Sequence, residues 1–581
     1  MTFRPPLDDM LFCLRQTRAL AGAQHADGND SDVTEAVLAE AARFAQEVIA
    51  PLNRVGDIHG ATLANGVVTT PPGWRDAYRA WTEAGWNGLA APEAWGGQDL
   101  PRALNAACTE MWNGASLAFG LAPILTMGAI EALTAHGSDV LKQAYLPRLV
   151  SGAWTGTMLL TEPQAGSDVG ALRTRAERAG DGSYRLTGQK IFITYGDHDL
   201  TDNIVHLVLA RLPDAPAGTR GISLFLVPKF LPDAEGRPGA RNDIHVHSLE
   251  HKLGIHGSPT CTMVLGDDGG ATGFLIGEEH RGMACMFTMM NQARLAVGLQ
   301  GVAIAERATQ QALAFAGERK QGRAPDGTTP APIIAHPDVR RMLLTMQALT
   351  RAARAICYAT AAALDRAATD PDAEALASLL TPVAKAFATD IGVEVASLGI
   401  QVHGGMGFIE ETGAAQHLRD ARILPIYEGT NGIQAIDLIL RKLPLNDGTA
   451  VAGYLDMLDG IVASLKTGDA TLAHLAGPLA GATGALRQAT EQMARRLTND
   501  PSAALAGATP YLRLFGITAG GCYLAHEALT ASREADTRAA ERIGLATFYA
   551  YNIAVQADGL VQAALDGAAS VNDPHLLPRT E

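Results

Sequence analysis

The chain has 581 residues, of which 47% are apolar, 18% charged and 5% aromatic, and its formal charge is −15. That length exceeds what one hydrophobic core organises and predicts three or four domains, while the aromatic-poor, Ala-rich balance suits close-packed helices and excludes a disordered chain. The negative charge opposes phosphate backbones and anionic lipid heads, and no basic patch offsets it, so no nucleic acid is expected as a partner.

The opening MTFRPPLDDM has no basic segment followed by an apolar run and a small-residue cleavage site, so a cytoplasmic location is expected. Residues 1–30 read as an N-terminal extension. Residues 31–156 read as a helical N-terminal domain: Val33, Val37, Ala41, Phe44 and Val48 recur at helical spacing behind a Ser31 or Asp32 cap. Met111 to Ile130 is uncharged over about the length that spans a bilayer. It holds Asn113, Ser116, Pro123 and three glycines between Glu110 and Glu131, which predicts a buried helix or helix pair and no integral membrane segment.

Residues 157–280 change character to β-type runs (YRLTG, KIFITYG, NIVHLVLARL, ISLFLVPKF, CTMVLG) broken by Gly, Pro and Asp turns, and read as an antiparallel β domain. Helical periodicity returns over 281–446 in long amphipathic segments that imply a bundle. Residues 447–581 read as an additional helical domain and tail. They carry nine basic against fourteen acidic residues, again the wrong sign for phosphate. The six cysteines (Cys13, Cys108, Cys261, Cys285, Cys357, Cys522) have no paired spacing and predict neither disulfides nor a metal site.

Three segments carry chemistry. LLTEPQAGSD, from Leu159, places hydroxyls, a carboxylate and small residues in a loop that lets backbone N–H groups approach an anion. Taken alone it also reads as an Asx or Ser turn. In GQKIFITYG, strand alternation places Ile191 and Ile193 on one face and Phe192 and Thr194 on the other, so an aromatic and a hydroxyl line one pocket or pack into a core. Near the other end, Gly404, Gly405 and Gly407 surround His403, and Pro425 closes a helix before Tyr427, Glu428 and Gly429. Thr430 or Asn431 then caps a helix with Ile433, Ile436 and Leu440 as its apolar face. Glu428 thus sits on a turn beside a helix N-terminus, where a surface carboxylate is equally at home.

TEPQAGSD, KIFIT, the Arg294 helix, the GERK helix end, QVHGGMGF and YEGT, in this order and spacing, resemble the acyl-CoA dehydrogenase family over about residues 30 to 443. The block after residue 446 and the YEGTNGIQ variant look like its long bacterial branch. The resemblance implies a mainly α fold with a central β domain: a helical N-terminal domain, a β-barrel or sandwich, a four-helix bundle carrying the base, and the added helical domain. It implies FAD as cofactor, an acyl-CoA substrate, an electron-transfer flavoprotein as partner, and a homo-oligomer, dimer or tetramer.

Residue by residue, Met158, Leu159, Leu160, Thr161 and Ser167 would run along the flavin, with Ser167 also near the CoA pyrophosphate. Phe192, Ile193 and Thr194 would face the isoalloxazine. Arg319, Gln401, Gly404 and Gly405 would reach the FAD of a neighbouring subunit, and Thr430 that of its own. Asn291, Arg294 and Gly429 would meet CoA, and Glu428 corresponds to the base that takes the α-proton while the β-hydrogen leaves as hydride. The chain departs from the family at Gln321 and Gly322, at Asn291 where a carboxylate is common, and at Gly432 where a Gln touches the cofactor. Some branches carry the base immediately before the bundle arginine; that position is Ala293 here, which leaves Glu428. A flavin oxidase on the same scaffold is the enzymatic rival, and a noncatalytic or DNA-binding relative the other.

Overall fold

The computed structural model describes residues 3–20, 22, 28–467 and 471–577, without the side chains of 28–31. After the Leu7–Leu20 helix, the next one runs Gly28–Phe44, so Ser31 and Asp32 lie inside its first turns and do not cap it. Acidic residues favour the positive helix end as well from within the first turn as from the cap. The uncharged stretch is a helix pair, Arg102–Ala115 and Leu117–His136, broken at Ser116, whose Oγ accepts the Phe119 N–H at 3.4 Å. Leu117–His136 and Pro371–Phe408 are long and apolar enough to cross a membrane, yet 83% and 78% of their apolar windows are buried inside the protein. A small hairpin, Thr62–Ala64 with Val67–Thr69, interrupts the N-terminal helices and was not expected.

The main sheet runs Ile244–Leu249, Thr260–Leu265, Tyr184–Thr194, Ala271–Ile276, Ile222–Pro228, Ile204–Arg211, Thr155–Leu159, with Arg175–Arg178 also joined to it. It is not wholly antiparallel. Thr155–Leu159 lies parallel to Ile204–Arg211, and Arg175 pairs in parallel with Arg211. The chain enters the sheet at its edge and returns to the neighbouring strand only after two other strands, a crossover that a hairpin cannot supply.

Three long helices follow, Gly282–Glu318, Pro337–Arg366 and Pro371–His403, with the short Ala414–Ala421 and Asn431–Asp437 helices packed against them. The first and third cross so closely that a Cβ at Gly301 would lie 2.3 Å from the Ala388 carbonyl oxygen, and one at Gly298 would lie 2.8 Å from that of Ala384. Beyond Thr449 the chain is helical again, and its Ala508–Arg533 helix buries Leu512, Phe515, Ile517, Gly521, Leu524 and Ala528. That helix leans on the bundle, with Gly516 against the Phe387 ring and Gly520 against Ala352. Buried Asp9 ties the first helix to Arg351 of the bundle at 2.7 Å and to Arg538 at 2.8 Å. All six cysteines are buried and unpaired.

Adding a methyl at Gly301 forces backbone apart, so Gly301→Ala should lower stability by about 1–3 kcal/mol. Gly453, in the Thr449–Thr467 helix with nothing near its Cβ direction, is the contrast. Gly453→Ala should gain about 0.4–1 kcal/mol by restricting the unfolded chain. Denaturation midpoints that moved the same way for both would contradict this reading of the helix crossing.

Candidate active site

The Ala414–Ala421 helix ends four residues before Pro425, so the proline does not close it; its carbonyl instead accepts the Asn431 N–H at 3.0 Å and closes a loop. Inside that loop Glu428 (φ 56°) and Gly429 (φ 82°) are both left-handed. For glutamate this conformation is uncommon and persists only when its surroundings hold it. Gln434 Nε2 donates to the carbonyls of Glu428 and Gly429, each at 3.3 Å, and Lys385 Nζ donates to that of Gly429 at 2.9 Å. A Cβ at Gly429 would meet Gln434 Nε2 at 2.6 Å, so space and φ both require glycine. The N–H groups of Glu428, Gly429 and Thr430 find no acceptor among the described residues, leaving three successive donors for an oxygen or anion.

Thr430 caps the next helix, its Oγ accepting the Ile433 N–H at 3.3 Å. The expected apolar face of that helix is wrong: Leu440 is exposed, and the buried side is Gln434, Ala435, Asp437, Leu438 and Ile439. The helix widens to a π turn at Leu438–Lys442, which shifts its phase, and two buried positions are polar because they serve the site. Gln434 holds the turn, and Asp437 Oδ2 accepts from Arg294 Nη1 at 3.2 Å. Tyr427 donates to Gln300 Oε1, fixing the other flank.

Glu428 is half-buried, and desolvation lifts its carboxyl to about 7 although Arg294 and Lys385 pull it down. Burial likewise pushes Lys385 down to about 7, against the pull of Glu428 and Asp390. Sequence reasoning missed Lys385 and Gln434. The signal for Lys385 was a lone cation in the apolar run TPVAKAFA, which a buried helix face tolerates only with partners.

The expected flavin residues lie at the sheet. Met158 and Leu159 end the first strand with buried side chains, so only their backbone is free to meet a ligand; Leu160 and Thr161 follow, half-buried. The Thr161 carbonyl accepts the Ile191 N–H at 2.9 Å, and Thr157 Oγ donates to the Thr194 carbonyl at 2.8 Å, joining the two segments. Regular alternation fails here. Ile193 pairs with Cys261 and Lys190 with Met263, a bulge that gives Phe192 a φ of 61° and leaves it 59% exposed, while Ile193 enters the core. Beneath the bulge Lys190 Nζ meets Glu162 at 2.8 Å, and Glu162 accepts from Arg173 N, Thr174 N and Thr174 Oγ. Burial opposes the Glu162 charge, but Lys190 and these donors hold its carboxyl at about 2. That buried pair pins the loop carrying exposed Ser167.

Other expected residues lie apart. Asn291 is exposed and lines a cavity of about 770 Å³ with Thr288 and Gln292, and Glu428 is not among its walls. Arg319 and the exposed Gln401, Gly404 and Gly405 stand at the far ends of their helices. Arg319 lies twenty-five residue steps beyond Arg294 along nearly unbroken helix, about 38 Å.

The chain matches the acyl-CoA dehydrogenase N-terminal domain over residues 31–153, the middle domain over 157–267, the C-terminal domain over 280–443, and an acetyl-CoA dehydrogenase C-terminal-like domain over 454–574. It is 48% identical over 544 residues to a 3-methylmercaptopropionyl-CoA dehydrogenase of Ruegeria pomeroyi, covering 92% of each chain. The fold is similar to Caenorhabditis elegans ACDH-11 in complex with C11-CoA (TM-score 0.78, 23% identity, 99% of this chain and 96% of that one). It is also similar to a Bacillus anthracis acyl-CoA dehydrogenase complexed with FAD (TM-score 0.75, 21% identity, 95% and 90% covered). The chain belongs to the acyl-CoA dehydrogenase family and is an oxidoreductase with that activity. FAD is the family's cofactor, and the residues here fit it: an exposed aromatic on a bulge, next to the Ile191 N–H bond to the half-buried Thr161 and two residues before half-buried Thr194, suits a flat heteroaromatic ring.

Because folding raises the Glu428 pKa, the folded state holds this proton more tightly than the unfolded chain, and the stability this contributes is lost as pH rises from about 4.5 through about 7. Glu428→Gln should therefore melt above the parent at pH 8, with the gap shrinking as pH falls toward 5. A gap that widened on acidification would reverse the sign of the argument.

Proposed function

We propose that this enzyme abstracts the α-proton of an acyl-CoA thioester with Glu428, giving a trans-2-enoyl-CoA, and that its electrons pass to an electron-transfer flavoprotein. The observation that carries the reading is a carboxylate poised near neutrality, at about 7, on a left-handed turn beside three unused N–H donors. A base works best when its pKa lies near the working pH, and fixed donors stabilise the charge that grows on the thioester oxygen. Substrate that excludes water from the turn strengthens both effects. Arg294 and Gly429 orient the CoA side, and Met158 to Thr161, Ser167, Phe192, Thr194 and Thr430 bind and orient the cofactor. When bound, FAD supplies the acceptor for the β-hydrogen.

A short thioether-containing acyl chain is the substrate class suggested by the Ruegeria pomeroyi relative. The separation of about 38 Å between Arg294 and Arg319 supports assigning Arg319, Gln401, Gly404 and Gly405 to a neighbouring subunit's FAD. Beside those glycines Met406, Phe408 and Ile409 are exposed, Phe408 by 84%, an apolar face suited to a homo-oligomer.

Anaerobic mixing with a panel of acyl-CoA thioesters should bleach the flavin, with a rate that falls tenfold per unit as pH drops below about 7. Glu428→Gln should keep FAD and lose about 10² to 10⁴ in that rate. Near-parental bleaching by the variant would remove Glu428 from the role. Arg319→Ala should lower flavin content per subunit without slowing reduction in the subunits that retain it, and a FAD-loaded monomer in solution would refute the shared site.

A further inference from the structure

One charged group beside the turn has no part in the chemistry above. Lys385 is wholly buried on the Pro371–His403 helix, where that helix passes under the Glu428 loop. Its Nζ donates to the Gly429 carbonyl and to Asn431 Oδ1, both at 2.9 Å, and no carboxylate lies within 4 Å of it among the described residues. Asn431 is itself held: its Nδ2 lies within hydrogen-bond distance of the Ala386 carbonyl at 3.1 Å, Thr389 Oγ at 3.0 Å and Asp390 Oδ1 at 2.7 Å. An ammonium taken out of water with only carbonyl-type acceptors is costly, and an apolar side chain of similar size would serve packing better.

The groups facing it are few. Glu428 approaches from the loop, Asp390 from the next turn of its own helix and Arg294 from the Gly282–Glu318 helix. Arg294 is partly neutralised by Asp437, which Arg441 also engages, and Arg513 and Glu394 lie beyond Asp390. A trans peptide is planar, with its C=O and N–H pointing opposite ways. Pinning the Gly429 carbonyl to Lys385 therefore turns the Thr430 N–H away from the bundle, and pinning the Glu428 carbonyl to Gln434 does the same for the Gly429 N–H.

We propose that Lys385 is a positioning residue for proton abstraction: its ammonium clamps the Gly429 carbonyl, which keeps the Glu428–Gly429 pair left-handed with the Thr430 N–H presented outward, and its positive charge favours the ionised form of the Glu428 carboxylate. The inference rests on Glu428 being the base. Lys385 touches neither substrate nor reacting atoms; it acts through the turn.

The test uses flavin-loaded holoenzyme reduced anaerobically by 3-methylmercaptopropionyl-CoA across pH 5.5 to 9.5, comparing parent, Lys385→Met, Lys385→Gln and Glu428→Gln. Lys385→Met should keep its flavin and bind the thioester within about threefold of the parent. Its reduction rate should fall by about 10- to 100-fold, the worth of one charge-assisted hydrogen bond, and the acid limb should move up by about one pH unit. Lys385→Gln can donate to the Gly429 carbonyl without a charge, so it should recover most of the plateau rate while keeping the displaced limb. If Glu428→Gln is inactive but both Lys385 variants reduce flavin with the parental pH profile, the proposal is wrong and the base assignment stands. If Glu428→Gln reduces flavin normally, the base assignment itself fails. If the Lys385 variants lose flavin or stability and the surviving holoenzyme titrates like the parent, Lys385 is merely structural and the proposal is again refuted.

Discussion

The close crossing of the Gly282–Glu318 and Pro371–His403 helices governs the geometry around Glu428. Helices ordinarily pack 8–10 Å apart, the distance depending on the side chains between them, and here glycines at 298 and 301 let backbone meet backbone at Ala384 and Ala388. Arg294 lies one turn before Gly298, and Lys385 lies next to Ala384. The crossing thus brings one cation from each helix to the same level on either side of a single turn. Widening it by one methyl would shift those charges along with the apolar contacts between the two helices.

Given two nearby cations, the Glu428 carboxyl would be expected well below its ordinary range, yet it stands near 7. Two features account for this. Arg294 spends much of its charge on Asp437 at 3.2 Å, and Lys385 is itself so desolvated that its pKa falls to about 7. Two weakened cations cannot offset the burial of the carboxylate. Such a balance suits a base better than either extreme. A carboxylate fully paired with Arg294 would be too weak a base, and one with no cation would stay protonated.

Helix periodicity and β-branched runs made the helical and strand regions readable from sequence, and the YEGT turn located Glu428 because Pro, Gly and Thr punctuate the chain there. What escaped was phase and partnership. The bulge at Ile191–Phe192 broke the alternation because an extra residue opposes one on the Thr260–Leu265 strand, a pairing that no single strand encodes. The Ile433–Leu440 face failed because a π turn changes the period, and because Gln434 and Asp437 are buried for their hydrogen bonds and not for their hydrophobicity. Lys385 and Lys190 escaped for a related reason. Each is a single charge in an apolar run whose partner, Gly429 or Glu162, lies 44 or 28 residues away.

The helix after Glu428 is short and partly polar on its buried side, so apolar contact with the bundle alone anchors it poorly. It is backed instead by the Ala508–Arg533 helix of the added C-terminal segment. That same helix presses on the stretch that carries Lys385. Gly516 meets the Phe387 ring, Arg513 lies over that ring at 5.5 Å, and Arg513 reaches Glu394 at 2.8 Å. The C-terminal helices therefore buttress both sides of the proposed clamp, the helix that donates from below and the helix that follows the turn. Here the restraint comes from the chain's own extension, whose packing bears directly on the geometry of the turn.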